Sequence, residues 1–434
     1  MIRSIELRRE LEGLPLGWQH RVIVVVLALA TLFDGYDVFV PSYVIPYAIR
    51  SWHLLPSEAG LLVSSGLFGF MIGALLNGPL ADRVGRKPVL VGALLFAAAG
   101  NFATAAWADS YTLFLAARVV TGLGLGMILP LSVTLINEVA PRLRANILVG
   151  WVMAGWSFGG VAAALAGFAL APAYGWRSLF MVGALAAPLA LLAGWVLPES
   201  PRYLAIRGRQ DGVRRVLNAL APGSAERYAQ TEFTISEATQ HRGSFLQLLR
   251  PDVRGNTFVV WACSGLSLFS IFGLSSWTPQ ILLQRGSSIS ASFALSGLLQ
   301  FTAVLGGLGC GWAADRFGRD RTLKGAWILG AAAVAGLALA SSRESDIGFL
   351  AIAGFCVMGA QPVLNNRTAA LYDTEVRSTG VGAQLGVGRI GGFLGPYVGG
   401  WIQQLYPGSA GLFLGVACAL AGCALFIRLL DRPA

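Results

Sequence analysis

Gly78-Pro79-Leu80-Ala81-Asp82-Arg83-Val84-Gly85-Arg86 returns later in the chain as Gly311-Trp312-Ala313-Ala314-Asp315-Arg316-Phe317-Gly318-Arg319. Every matched residue is displaced by the same number of positions, and Arg144 and Arg377 keep that offset. Each copy is a short charged loop between two apolar runs, so its recurrence implies parallel repeats of one larger unit. Asp82 and Asp315 are placed to cap a helix start or pair with an arginine, and the glycines let helix ends approach closely.

The runs around these loops have the length that crosses a bilayer. Six fall near residues 22–49, 58–80, 88–107, 111–137, 146–171 and 176–197, and six more near 255–283, 291–313, 323–341, 346–370, 378–405 and 408–428. The chain is 55% hydrophobic and only 12% charged, with 55 glycines in 434 residues, which marks a polytopic membrane protein. The expected architecture is all-α, with twelve transmembrane helices in two six-helix repeats. A tail at 1–21, an N-terminal bundle at 22–197, a central loop at 198–254, a C-terminal bundle at 255–428 and a tail at 429–434 follow from it. No small-residue cleavage site follows the first run, which reads as a retained helix.

The net charge of +10 does not indicate nucleic acid, because its position follows the membrane. With the N-terminus inside, the even-numbered loops and both tails hold Lys87, Lys324 and nearly all the arginines. Only Arg50, Arg177, Arg285 and Arg343 fall outside. This asymmetry predicts cytoplasmic termini in a bacterial inner membrane. The five cysteines lie in apolar runs without ligand spacing and read as small packing residues; no metal or cofactor is expected.

Asp34-Gly35-Tyr36-Asp37 interrupts the first run. Counting from residue 22, Asp34 lies roughly 18 Å into its helix, near the midplane of a core about 30 Å thick. Asp37 is one turn further on nearly the same face. Two carboxylates so placed do not both ionise easily and titrate as a coupled unit, as a proton carrier requires. Neither His20, His53 nor His241 is deep in a run, which leaves the aspartates as the proton candidates. Arg389 reaches about 17 Å depth in the eleventh run, where its guanidinium suits a bidentate grip on a substrate carboxylate. Each of these charges also admits a simpler reading, as a hydrogen bond or ion pair between helices. Tyr36, Tyr43 and Trp156 stand in runs where they could flank a flat ring. Asn365, with Gln361 one turn earlier, is a candidate partner for a ring substituent.

The repeated loop resembles the signature of the major facilitator superfamily, over essentially the whole chain. Arg118-x-x-x-Gly122-x-Gly124-x-Gly126 is similar to a motif of its proton-coupled members. Asp34-Gly35-Tyr36-Asp37, Trp277-Thr278-Pro279, Gly359-Ala360-Gln361, Leu364-Asn365, Tyr372 through Arg377, and Gly386-Val387-Gly388-Arg389-Ile390-Gly391 together resemble the aromatic acid:proton symporter family. Asp373 and Arg367 depart from that family's pattern. The resemblance implies a symporter, functional as a monomer, that takes up a hydroxybenzoate-like or lignin-derived acid with protons. It implies a coupling role for Arg118 beside Asp34 and Asp37, and substrate contacts at Arg389, Asn365, Gln361, Tyr36, Tyr43 and Trp156. Gating would fall to Gly78, Asp82, Arg83, Gly85, Arg86, Glu138, Arg144, Asp315, Arg316 and Arg377.

Alternatives stay open at this point. Pro198-Glu199-Ser200-Pro201-Arg202-Tyr203-Leu204 resembles a sugar-porter motif, but the seventh run has only Gln280 and Gln284, both after Pro279, where sugar porters carry a glutamine pair. Another organic anion, or proton-driven export, is compatible with the same fold. No nucleophile, base or metal constellation suggests an enzyme.

Overall fold

The computed structural model describes residues 3–229, 231–235, 245–340, 342–373, 376–406 and 408–430. His241, residues 374–375 of the Tyr372–Arg377 match, and the end of the C-terminal tail lie outside them. Twelve long helices, labelled α1 to α12, account for most of the chain. The first six are Trp18–Trp52, Pro56–Val84, Arg86–Trp107, Tyr111–Val139, Ala145–Tyr174 and Arg177–Val196, the last interrupted at Leu185. The second six are Arg254–Gln284, Ile289–Phe317, Arg319–Leu339, Arg343–Ala369, Arg377–Leu405 and Ser409–Phe426. Eleven are long and apolar enough to cross a membrane. The remaining one, α11, is made less apolar by its glycines, Gln384 and Arg389. This is a multi-pass membrane protein.

Helix is the form these runs must take, because hydrocarbon offers no partner to a free backbone N–H or C=O. Local signals set the ends. Ser110, Ser288 and Ser342 cap α4, α8 and α10 by accepting from Leu113, Ala291 and Ser345, and Pro56 opens α2, as expected for a first-turn proline. Inside α10, Gly354–Met358 forms a π-helical turn.

Small residues set the packing. Gly69 and Gly73 of α2 lie on the backbone of α4 at Val119 and Leu123, and Gly122 and Gly126 return the contact at Gly66 and Phe70. Gly155 and Gly159 of α5 lie in the same way on α1, and Gly391 and Gly395 of α11 on α7. Close backbone approach of this kind replaces the hydrophobic drive that lipid does not supply. Large apolar side chains such as Leu75, Trp195 and Leu308 point outward.

Contacts between the halves are concentrated from mid-depth to the face away from the termini. There Gly60 abuts the Pro396 carbonyl, Gly400 abuts Pro56, and Ser64 Oγ donates to the Phe393 carbonyl at 2.7 Å. Gly167 of α5 meets Phe293 of α8. On the termini face, the strand Arg3–Glu6 (β1) pairs in parallel with Thr231–Thr234 (β2). Glu10 clamps this layer by accepting from Tyr228 Oη at 2.7 Å and pairing with Arg227 at 2.8 Å.

Candidate functional site

Asp34 and Asp37 are both fully buried in α1, yet their surroundings differ. Asp37 Oδ2 accepts from Asn101 Nδ2 of α3 at 2.7 Å. Asn101 Oδ1 accepts in turn from Arg118 Nη1 at 3.1 Å, and Arg118 Nη2 donates to the Asp37 backbone carbonyl at 2.9 Å. Gly183 of α6 makes room for the cluster, since a Cβ there would lie 2.6 Å from Asn101 Nδ2. Arg118 also packs over Phe180, 5.3 Å from its centroid. Four helices of one half therefore converge on Asp37.

Asp34, one turn away, has no hydrogen-bond partner on either oxygen among the described residues. The opposite charge that acts on it is Arg389, from α11 of the other half. Arg389 is half-buried and sits 4.1 Å above the centre of the Phe70 ring in α2. Phe70, Gly66 and Arg118 line a small void between α1, α2 and α4. A buried carboxylate is stable only when a proton, a cation or hydrogen bonds meet its charge. For Asp34 the first two are the means at hand.

The other half presents amides. Ser267 Oγ donates to Gln361 Oε1 at 2.8 Å, and Gln361 Nε2 to Asn365 Oδ1 at 3.3 Å. Gln384 Nε2 donates to Ser264 Oγ at 2.8 Å and to Asn365 Oδ1 at 3.3 Å. Both donations end on Asn365 Oδ1, which leaves the amide N–H groups of the half-buried Asn365 without a partner among the described residues.

Of the expected ring-flanking residues, Trp156 is half-buried and meets Phe39 edge-on at 5.4 Å, while Phe39 stacks on Phe272 at 6.1 Å. Tyr36 and Tyr43 are buried: the Tyr36 hydroxyl donates to the Leu179 carbonyl at 2.8 Å, and Tyr43 packs edge-on against Phe293 at 5.1 Å. Neither Asn101, Gln300, Gln384, Ser264, Ser267 nor Phe39 was singled out from sequence. An uncharged polar side chain inside an apolar run was the available signal for the first three.

The expected gating residues lie on the termini face. Arg86 pairs with Asp82 at 3.1 Å and with Glu138 at 3.8 Å, and donates to the Ala81 carbonyl. The Arg83 carbonyl accepts from Tyr203 Oη. Gly78 is exposed, Arg144 precedes α5 and Arg377 begins α11. Asp315 and Arg316 are exposed, the latter over Trp312 and Phe317 of its own helix. Arg367 is buried and bonds Asp320 at 2.6 Å.

The model of the Major Facilitator Superfamily matches residues 27–396. A gallate transporter of Pseudomonas putida is 34% identical, covering 97% of this chain and 94% of its own length. The 4-hydroxybenzoate transporter PcaK of Pseudomonas putida is 33% identical over 93% of this chain and 90% of its own. Among solved structures, the inward-open xylose transporter XylE from E. coli shares the fold with a TM-score of 0.73 at 19% identity, covering 94% of this chain and 96% of that one. The chain belongs to the Major Facilitator Superfamily, in the branch that holds these gallate and 4-hydroxybenzoate transporters.

Proposed function

We propose that this protein imports an aromatic carboxylate across a bacterial inner membrane together with protons, working as a monomer with both termini in the cytoplasm. The observation that carries this reading is Asp34, fully buried and without a hydrogen-bond partner among the described residues, with Arg389 of the other half as the opposite charge that acts on it. A substrate carboxylate that takes the Arg389 fork removes the cation that balances Asp34. Asp34 must then hold a proton, so binding of the anion and of the proton favour each other. Asp37, tied to Asn101 and Arg118, is the fixed member of the pair. The relatives named for gallate and 4-hydroxybenzoate support an aromatic acid as the anion.

Residues 22–197 and 255–428 would act as two units that rock about this site, with 198–254 joining them on the cytoplasmic side. Their contacts away from the termini would hold the outer side closed. A monovalent acid entering with one proton moves no net charge, so the membrane potential, worth about 2.3 kcal/mol per charge per 100 mV, drives accumulation only if further protons enter.

The test is uptake of radiolabelled benzoates into vesicles with and without a proton gradient. Asp34→Asn is expected to abolish accumulation while exchange of labelled for unlabelled acid persists. Arg389→Lys, which loses the fork, is expected to weaken apparent affinity by about tenfold or more. Accumulation that survives collapse of the gradient would sink proton coupling, and failure to take up any aromatic acid would sink the substrate class.

A further inference from the structure

The interface between the halves holds two polar atoms that the coupling scheme does not use. Gln300 of α8 is 4% exposed, and its Oε1 has no hydrogen-bond partner among the described residues. Trp156 Nε1 of α5 is likewise buried and unpartnered. Gln300 meets α5 at Gly160, one helical turn after Trp156 on the same face of that helix. A Cβ at Gly160 would lie 2.9 Å from Gln300 Nε2 and 3.1 Å from the Phe39 ring edge. The amide of Gln300 therefore crosses from the second half onto the first at the only kind of residue that admits it. Phe39, which touches this point, also meets Trp156 edge-on and stacks on Phe272.

An orphaned acceptor and an orphaned donor beside three aromatic rings define a narrow chemistry. Leaving such groups unpaired in a buried site is unfavourable, so a ligand that satisfies both is selected over one that satisfies neither. A ring hydroxyl can donate to Gln300 Oε1 and accept from Trp156 Nε1 at once. A carboxylate can only accept, and a ring C–H does neither. Phe39 lies five residues beyond Asp34 on α1, roughly 7.5 Å further along the helix. That offset suits a benzene ring whose carboxylate is at Arg389 and whose hydroxyl is turned away from it.

We propose that Trp156 Nε1 and Gln300 Oε1 form a ring-hydroxyl subsite shared between the two halves, which makes the transporter selective for hydroxylated aromatic acids over unsubstituted ones. The proposal rests on the aromatic-acid reading above and adds the residues that choose within that class. Because the donor and acceptor belong to different halves, a bound hydroxyl also joins the halves at mid-depth.

The experiment is competition against uptake of labelled 4-hydroxybenzoate in proteoliposomes, using benzoate and each monohydroxybenzoate isomer as inhibitors. The wild-type protein is expected to favour at least one hydroxylated acid over benzoate by about tenfold. Gln300→Leu removes the acceptor, and Trp156→Phe removes the N–H while keeping an aromatic ring. Both are expected to bring the ratio of inhibition constants towards one. If Gln300→Leu is not monodisperse in detergent, Gln300→Met replaces it. An unchanged ratio, or equal weakening for benzoate and hydroxybenzoates, overturns the subsite and leaves the aromatic-acid reading intact. A wild-type protein that no benzoate inhibits and that takes up none overturns both.

Discussion

The loop after α2 and the loop after α8 share a backbone but have different neighbours. Gly85 and Gly318 end the two helices with φ of +114° and +91°, a region that only glycine enters without strain. Around Gly85 the space is filled: a Cβ would run into the Glu199 carboxylate. A Cβ at Gly318 would meet nothing within 4 Å among the described residues. Glu199 Oε1 accepts from the backbone N–H groups of Arg86 at 3.0 Å, Lys87 at 3.2 Å and Ser200 at 2.8 Å, which caps the start of α3. Arg86, beneath it, holds Asp82 and Glu138 and lies over the Tyr203 ring at 5.5 Å. Among the described residues the second copy has none of this enclosure, and its Asp315 and Arg316 are exposed. What the repeat preserves is the turn, while the charge network of the first copy is completed by the Pro198–Leu204 segment that packs against it.

The sharpest way to break this comparison is to substitute both glycines. Gly85→Ala and Gly318→Ala each take on a strained backbone, at about 1–3 kcal/mol. Gly85→Ala must in addition displace Glu199 from three backbone donors, so it is expected to lower the thermal unfolding midpoint in detergent clearly more than Gly318→Ala. Equal losses would mean that the enclosure of the first copy contributes nothing. A smaller effect is expected from Glu199→Gln, which keeps the shape and removes the negative charge from the helix start. That change should cost about 1 kcal/mol, read in the same unfolding measurement, and no loss at all would remove Glu199 from the network.

The same contrast explains what could be read from the sequence. Hydropathy, the repeated loop and the placement of arginines are local signals, and they were enough for the twelve-helix architecture. Asp34, Asp37 and Arg389 stand out in the sequence because a charge in an apolar run has few ordinary explanations. The different surroundings of the two aspartates do not, because they depend on Asn101 and Gly183 arriving from α3 and α6, and a single glycine among 55 carries no mark of its neighbour. Tyr36 shows the converse: its place in the motif suggested a ring contact, but its hydroxyl is turned to the Leu179 carbonyl. The amides Gln300 and Gln384 follow no periodic pattern, and only the crossing of helices shows what they face.

Arg367, noticed first as a departure from a family pattern, sharpens the comparison at its smallest scale. Its bond to Asp320 joins α10 to the start of α9, much as Glu138 of α4 meets Arg86 at the start of α3. The signs are exchanged: in the first half the arginine begins the loop-side helix and the acid stands on its neighbour, and in the second half the reverse holds. Asp320 keeps 37% of its side chain exposed while Arg367 keeps 6%, so solvent weakens the attraction and a coupling energy of only about 1 kcal/mol is expected. A double-mutant cycle with Asp320→Asn and Arg367→Gln measures it in detergent, and raising the salt should reduce it. Arg367→Glu copies the charge of the first half without its partner, sets two acids together, and should destabilise more than Arg367→Gln. Adding Asp320→Arg should recover much of that loss. Recovery would mean that either polarity fastens the two helices, whereas a zero coupling energy would leave the buried Arg367 as packing alone.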